Sequence, residues 1–79
     1  IMKTMLCHQL GGACEQKLQG NTFEEIAEQS RQHCQQMFEQ NDAAHLAAMA
    51  EMKTLMQKPQ AMNDWFDGKR AEFAALADD

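Results

Sequence analysis

The chain has 79 residues, of which 44% are hydrophobic, and it carries a net charge of −5 at pH 7. This length fits one small domain, whose core is close to the size at which support from a metal, a disulfide or a partner subunit is needed. The 7 basic residues are scattered among 12 acidic ones, so we expect no nucleic-acid binding. No run approaches the ~20 apolar residues of a membrane span, and we therefore expect a cytoplasmic protein with reduced thiols and no membrane partner.

Residues 2–18 predict a β-hairpin. Gly11 and Gly12 are the strongest turn signal in the chain, because two glycines accept positive φ freely. Side chains alternate in the segment before them, and residues 13–18 return as the second strand. A two-stranded hairpin is barely stable alone in water, so helices are expected to cover one of its faces.

The first predicted helix covers residues 22–40. Thr22 and Glu25 fit a capping box, in which the threonine caps the helix and the glutamate reaches back to the N-cap amide. Apolar and small side chains recur every three or four positions and indicate the face turned toward the core. They are Phe23, Ile26, Ala27, Ser30, His33, Cys34, Met37 and Phe38.

Two further helices are predicted at residues 42–57 and 59–77. Asp42 can cap the first of them, which is rich in good helix formers and is expected to be the central, broadly buried helix. Pro59 ends that helix and suits the first turn of the next one. The expected aromatic anchors of the core are Trp65, Phe66 and Phe73.

The candidate metal ligands are Cys7, Cys14, His33 and Cys34. The hairpin tip can bring the first two sulfurs together, and the packed helix can supply the remaining donors. Four thiolate and imidazole ligands are what a tetrahedral zinc site requires. His8, beside the turn, is a reserve ligand. His45 is expected to contact the first helix near Met37, and a metal shared by His45 and His33 is the less favoured arrangement.

Two other roles stay open for the cysteines. Free cysteines are often small buried hydrophobes, and the Cys7-x6-Cys14 spacing differs from the Cys-x2-Cys of ordinary zinc fingers. A redox pair needs a cysteine whose pKa is lowered by a positive group or a helix N-terminus, and neither of these two opens an obvious helix. No catalytic motif is present, so we expect no enzymatic activity.

A distinctive series of motifs runs through residues 2–38. It comprises Met-Lys-Thr-Met-x-Cys7-x-x-Leu10-Gly11-Gly12-x-Cys14, then Thr22-x-Glu24-Glu25-Ile26, and then His33 on a helix. The series resembles a family of small bacterial and archaeal proteins of unknown function, sometimes labelled small metal-binding proteins, in which a cysteine-bearing hairpin precedes a histidine-bearing helix. The resemblance implies metal binding through Cys7, Cys14 and His33. Cys34 departs from the small residue expected after that histidine, and it could add a ligand or fill space.

Together these elements predict an α+β fold, with an N-terminal two-stranded β-hairpin followed by three α-helices in one domain. The predicted function is binding of a transition metal such as zinc in a structural or sensory role. A metal-free interaction or self-association module with a methionine-rich helical surface is the first alternative, and a thiol redox protein is the second. The seven methionines and the open hairpin edges favour a homo-oligomer, and a dimer above all.

Overall fold

The order of elements confirms the predicted α+β fold. The computed structural model describes residues 1–79. A two-stranded antiparallel sheet is followed by three helices: β1 is Lys3–Leu6, β2 is Lys17–Gly20, α1 is Phe23–Glu39, α2 is Ala43–Met56 and α3 is Pro59–Ala75. None of the helices combines the length and the apolar character needed to cross a membrane.

The hairpin differs from its prediction in the position of the second strand. β2 begins at Lys17, whereas the prediction placed this strand at residues 13–18. The intervening residues 7–16, called the cysteine loop below, contain a short 3₁₀ helix at Cys7–Leu10. Gly11 ends this helix with φ 86°, so the glycines serve a turn inside the loop and not a tight turn between the strands. Both N-terminal cysteines therefore lie in the loop.

The N-termini of α1 and α2 are capped by the predicted side chains, with one difference in the partner of Glu25. The Thr22 hydroxyl accepts a hydrogen bond from the Glu25 amide at 3.2 Å. The Glu25 carboxylate accepts one from the Asn21 amide at 2.9 Å, one residue before the N-cap. At the start of α2, the Asp42 carboxylate accepts from the His45 amide at 3.1 Å. Each cap satisfies backbone donors that a helix leaves free in its first turn.

A tight connection turns α2 back toward α1. Asn41 adopts the left-handed conformation with φ 55°. Its amide donates to the Phe38 carbonyl, and the Asp42 amide donates to the Met37 carbonyl, both at 3.0 Å. This pair of bonds is the Schellman arrangement that ends many helices. The residue that closes α1 is thus followed at once by the residue that caps α2.

The core lies between the hairpin, the cysteine loop and the start of α1. Its buried apolar side chains are Met5, Cys7, Leu10, Leu18, Phe23 and Ile26. The strand register places Met5 opposite Leu18. Phe38, near the end of α1, is 56% exposed although the sequence places it on the face turned toward the core. In α2, His45 is the only buried residue. The predicted central position of α2 is wrong, because the hairpin, the cysteine loop and the start of α1 form the core among themselves and leave the apolar side chains of α2 half-buried or exposed.

The third helix closes the other side of this core with half-buried aromatic rings. Phe66 and Phe73 pack against the core, and the Phe73 ring meets the Phe23 ring edge-on at 6.2 Å. Trp65 is also half-buried and lies edge-on to Phe66 at 5.0 Å. The Lys3 ammonium donates to the Phe73 carbonyl at 3.1 Å, which ties the end of α3 to β1.

Candidate metal centre

Four metal-ligating side chains from three parts of the chain converge on one point. The ligand atoms of Cys7, Cys14, His33 and His45, called the ligand cluster below, all lie within 4.8 Å of one another. The cysteine loop supplies both sulfurs, while α1 and α2 supply one imidazole each. Convergence of this kind on one small volume is what a metal site requires.

The backbone of the cysteine loop holds the two sulfurs close together. The Cys7 amide donates to the Gln16 carbonyl and the His8 amide donates to the Cys14 carbonyl, both at 2.9 Å. A Cβ added at Gly12 would overlap the Cys7 sulfur, so only glycine fits that position. The Gln16 amide also donates to the Cys14 sulfur at 3.4 Å, which holds that side chain against the end of the loop.

Each histidine pairs with a different cysteine. Nε2 of His33 lies 3.2 Å from Cys14 Sγ, and Nε2 of His45 lies 3.5 Å from Cys7 Sγ. The two imidazole rings are 5.2 Å apart between centroids and nearly perpendicular, at 79°. Both Nε2 atoms are therefore directed at the sulfurs from different helices.

The donor spacing suits a tetrahedral ion. Zinc bonds of ~2.3 Å to sulfur and ~2.0–2.1 Å to nitrogen imply about 3.3–3.8 Å between neighbouring donors at tetrahedral angles. The two sulfur–nitrogen distances, 3.2 and 3.5 Å, are already close to that range. The cluster is compatible with a metal site, although donors as far as 4.8 Å apart would have to approach by about 1 Å to reach the spacing of zinc ligands.

Burial shifts the pKa of two members of the ligand cluster. Cys7 is completely buried, and burial raises the pKa of its thiol, although the nearby backbone N–H groups of Cys14 and Ala13 act in the opposite direction. Burial, and then the neighbouring His45, lower the pKa of His33. A neutral imidazole is the form that binds a metal, and a thiol must release its proton on binding. A raised thiol pKa is the opposite of what a redox cysteine needs.

Cys34, the fourth ligand in the prediction, lies beside the ligand cluster but is not one of its four members. It is half-buried on α1, and burial is the main cause that raises the pKa of its thiol. His8, the reserve ligand, is exposed and also lies outside the cluster. The structure thus brings three of the predicted ligands together and adds His45, which the sequence indicated only as a less favoured partner of His33.

The only feature of the sequence that could have pointed to His45 as a ligand is the helix cap just before it. Asp42 caps α2 and His45 is the third residue of that helix, so the short connection from α1 fixes where its ring points.

Comparisons of the chain with protein-family models, curated proteins and solved structures found no match. The functional conclusion therefore depends on the geometry of the ligand cluster.

Proposed function

We propose that the protein binds one zinc ion through Cys7, Cys14, His33 and His45 in a structural or sensory role, and that it is not an enzyme. The observation that carries this proposal is the convergence of four ligand atoms within 4.8 Å. Two thiolates and two imidazoles form a donor set that zinc favours.

The number of protein ligands supports a role without catalysis. Catalytic zinc sites have three protein ligands and keep one position for water or substrate, whereas structural sites are closed by four. Four donors converge in this cluster, and Cys7 and His45 are almost fully buried, with 0% and 3% of their surface exposed. An ion held in this way has no open position for a substrate.

The elements that carry the ligands support a structural or sensory role. A zinc ion would connect the cysteine loop, α1 and α2 at a single point. Because His45 is the only buried residue of α2, the metal would supply much of the attachment of this helix. Metal binding would then be coupled to folding. In a sensory role, α2 would pack against the rest of the chain when the site holds zinc and would loosen when it does not.

The direct test is the metal content of the full chain, purified without a histidine tag. We expect about one equivalent of zinc per chain, with strong loss in Cys7→Ser and His45→Ala, which remove cluster ligands. Two matched controls, Cys34→Ser and His8→Ala, alter the same residue types outside the cluster and should keep the metal. Less than about a tenth of an equivalent in the parent protein, even after incubation with zinc, would contradict the proposal.

An apolar cleft supports self-association as a second candidate function. The cleft lies between the three helices and has a volume of about 620 Å³. Its apolar lining includes Phe23, Ala27, Met49, Met52, Met56 and Phe66. Met56 is 48% exposed, and contact with a second copy would cover it. This candidate predicts a dimer in sedimentation and unchanged melting after chelation, and a 9.0 kDa monomer at high concentration would contradict it.

A further inference from the structure

We propose that Asp42 is a positioning residue for the metal centre, because its carboxylate sets the ring orientation and tautomer of His45. This inference rests on the zinc-binding function proposed above. It concerns a residue outside the ligand cluster, and it assigns Asp42 a role beyond capping α2.

One carboxylate oxygen binds two groups of the same histidine. Oδ2 of Asp42 lies 3.1 Å from the His45 amide nitrogen and 2.6 Å from ring Nδ1. A carboxylate can only accept hydrogen bonds, so Nδ1 carries the proton. The other nitrogen, Nε2, is then free to bind a metal, and it faces Cys7 Sγ at 3.5 Å.

The charge of the carboxylate adds to this geometry. The Asp42 side chain is 43% exposed, and an aspartate in contact with solvent is ionised at neutral pH. An ionised carboxylate behind an imidazole makes the opposite ring nitrogen more basic and fixes the ring direction. Carboxylate, histidine and metal in this order recur in zinc proteins, where the outer partner contributes to affinity.

The position of Asp42 follows from the backbone connection between α1 and α2. The Schellman end of α1, with Asn41 at φ 55°, is followed directly by Asp42 as the N-cap of α2. An N-cap side chain reaches the amide of the third helical residue, and that residue is His45. The same side chain thus caps the helix and reaches the ring of a ligand.

The experiment separates positioning from capping. Asp42→Ser keeps a good N-cap but is too short to reach Nδ1, while Asp42→Asn keeps both the cap and an acceptor oxygen. In competition with a chromophoric chelator, we expect Asp42→Ser to bind zinc about 10–100-fold more weakly than the parent, with Asp42→Asn between the two. Thr22→Ser, a matched change at the N-cap of α1, should leave zinc affinity unchanged. Equal affinity in Asp42→Ser and the parent would overturn the proposal.

A second readout requires no metal. Long-range ¹H–¹⁵N spectra of the metal-free chain should show His45 as the Nδ1–H tautomer in the parent, with a shift toward Nε2–H in Asp42→Ser. An Nε2–H tautomer in the parent would overturn the positioning role by itself. If the parent shows the expected tautomer but binds no zinc, the proposed function fails while the orienting contact stands, so the two failures are distinguishable.

Discussion

The first third of the chain and the two C-terminal helices are held in place by different interactions. All the buried apolar side chains lie between Met5 and Ile26, in the hairpin, the cysteine loop and the start of α1. By comparison, α2 buries one side chain, His45, and α3 buries none. Because hydrophobic stabilisation scales with the apolar area removed from water, the N-terminal region carries most of it. The one fully buried residue of α2 is instead polar, and we propose it as a metal ligand.

The end of α3 adds polar contacts to its half-buried rings. Arg70 pairs with Glu24 of α1, and the Asp79 amide donates to the Met2 carbonyl at 2.8 Å. Exposed ion pairs add little stability. α3 is thus held by half-buried aromatic rings together with these polar contacts, whereas the one buried side chain of α2 is a proposed metal ligand. If that proposal holds, we expect α2 to be the element most sensitive to the metal.

The largest effect is expected from Gly12→Ala. The added methyl group would overlap the Cys7 sulfur and force the cysteine loop to move. Zinc affinity measured by chelator competition should fall by more than the ~10–100-fold that loss of an outer-shell partner costs. Gly68→Ala is the matched control, since nothing lies within 4 Å of an added Cβ there. The control should keep zinc and gain about 0.5–1 kcal/mol of helix stability, and a Gly12 variant with parent-like affinity would contradict the account of the loop.

Two methionine substitutions test whether the N-terminal core is packed more tightly than α2. Met5→Ala removes a side chain that is 2% exposed and should lower the free energy of unfolding by about 2–5 kcal/mol. Met56→Ala removes one that is 48% exposed on α2 and should change it by no more than about 0.5 kcal/mol. Urea denaturation of the zinc-loaded chain measures both values. Similar losses in the two variants would show that α2 carries more of the packing than the structure assigns to it.

Zinc affinity should fall as pH falls. Burial raises the pKa of Cys7, so this thiol is protonated near neutral pH in the metal-free protein and must release a proton when zinc binds. The pKa of His33 is lowered, which favours its neutral ring, so this residue adds less competition from protons than an ordinary histidine. Between about pH 8 and pH 6 we expect at least a ~10-fold loss of affinity for each pH unit. A pH-independent affinity would exclude Cys7 as a ligand.

Chelation should loosen α2 more than the N-terminal region. Removing zinc releases the one buried residue of α2, whereas the core around Ile26 keeps its apolar contacts. Amide hydrogen exchange in α2 should become faster by at least about tenfold, which corresponds to ~1.4 kcal/mol of lost local stability. Exchange in α1 near Ile26 should change less. An equal increase in both regions would contradict the proposed dependence of α2 on the metal.

Local signals in the sequence predicted most of the fold. Thr22, Asp42 and Pro59 marked the starts of the three helices, because capping depends on neighbouring residues alone. The start of β2 was predicted four residues too early, at residue 13 and not at Lys17. The two glycines suggested a short turn, while the structure has a longer loop closed by hydrogen bonds between its ends.

The candidate site was predicted in part, and the difference has a physical reason. His33 and Cys34 are consecutive on α1, so their side chains point about 100° apart around the helix. One of them faces the sulfurs of the loop, and the other lies beside the cluster. The fourth member, His45, comes from another helix, and its approach depends on the tight connection at Asn41. Long-range geometry of this kind is not visible in residue spacing.

X-ray absorption at the zinc edge of the loaded full chain tests the central claim most directly, because it counts sulfur and nitrogen ligands separately. The proposed site predicts two sulfurs at ~2.3 Å and two imidazole nitrogens at ~2.0–2.1 Å, unchanged in Cys34→Ser. Three sulfurs and one nitrogen, with one sulfur lost in Cys34→Ser, would contradict it and place Cys34 in the position that we assign to His45.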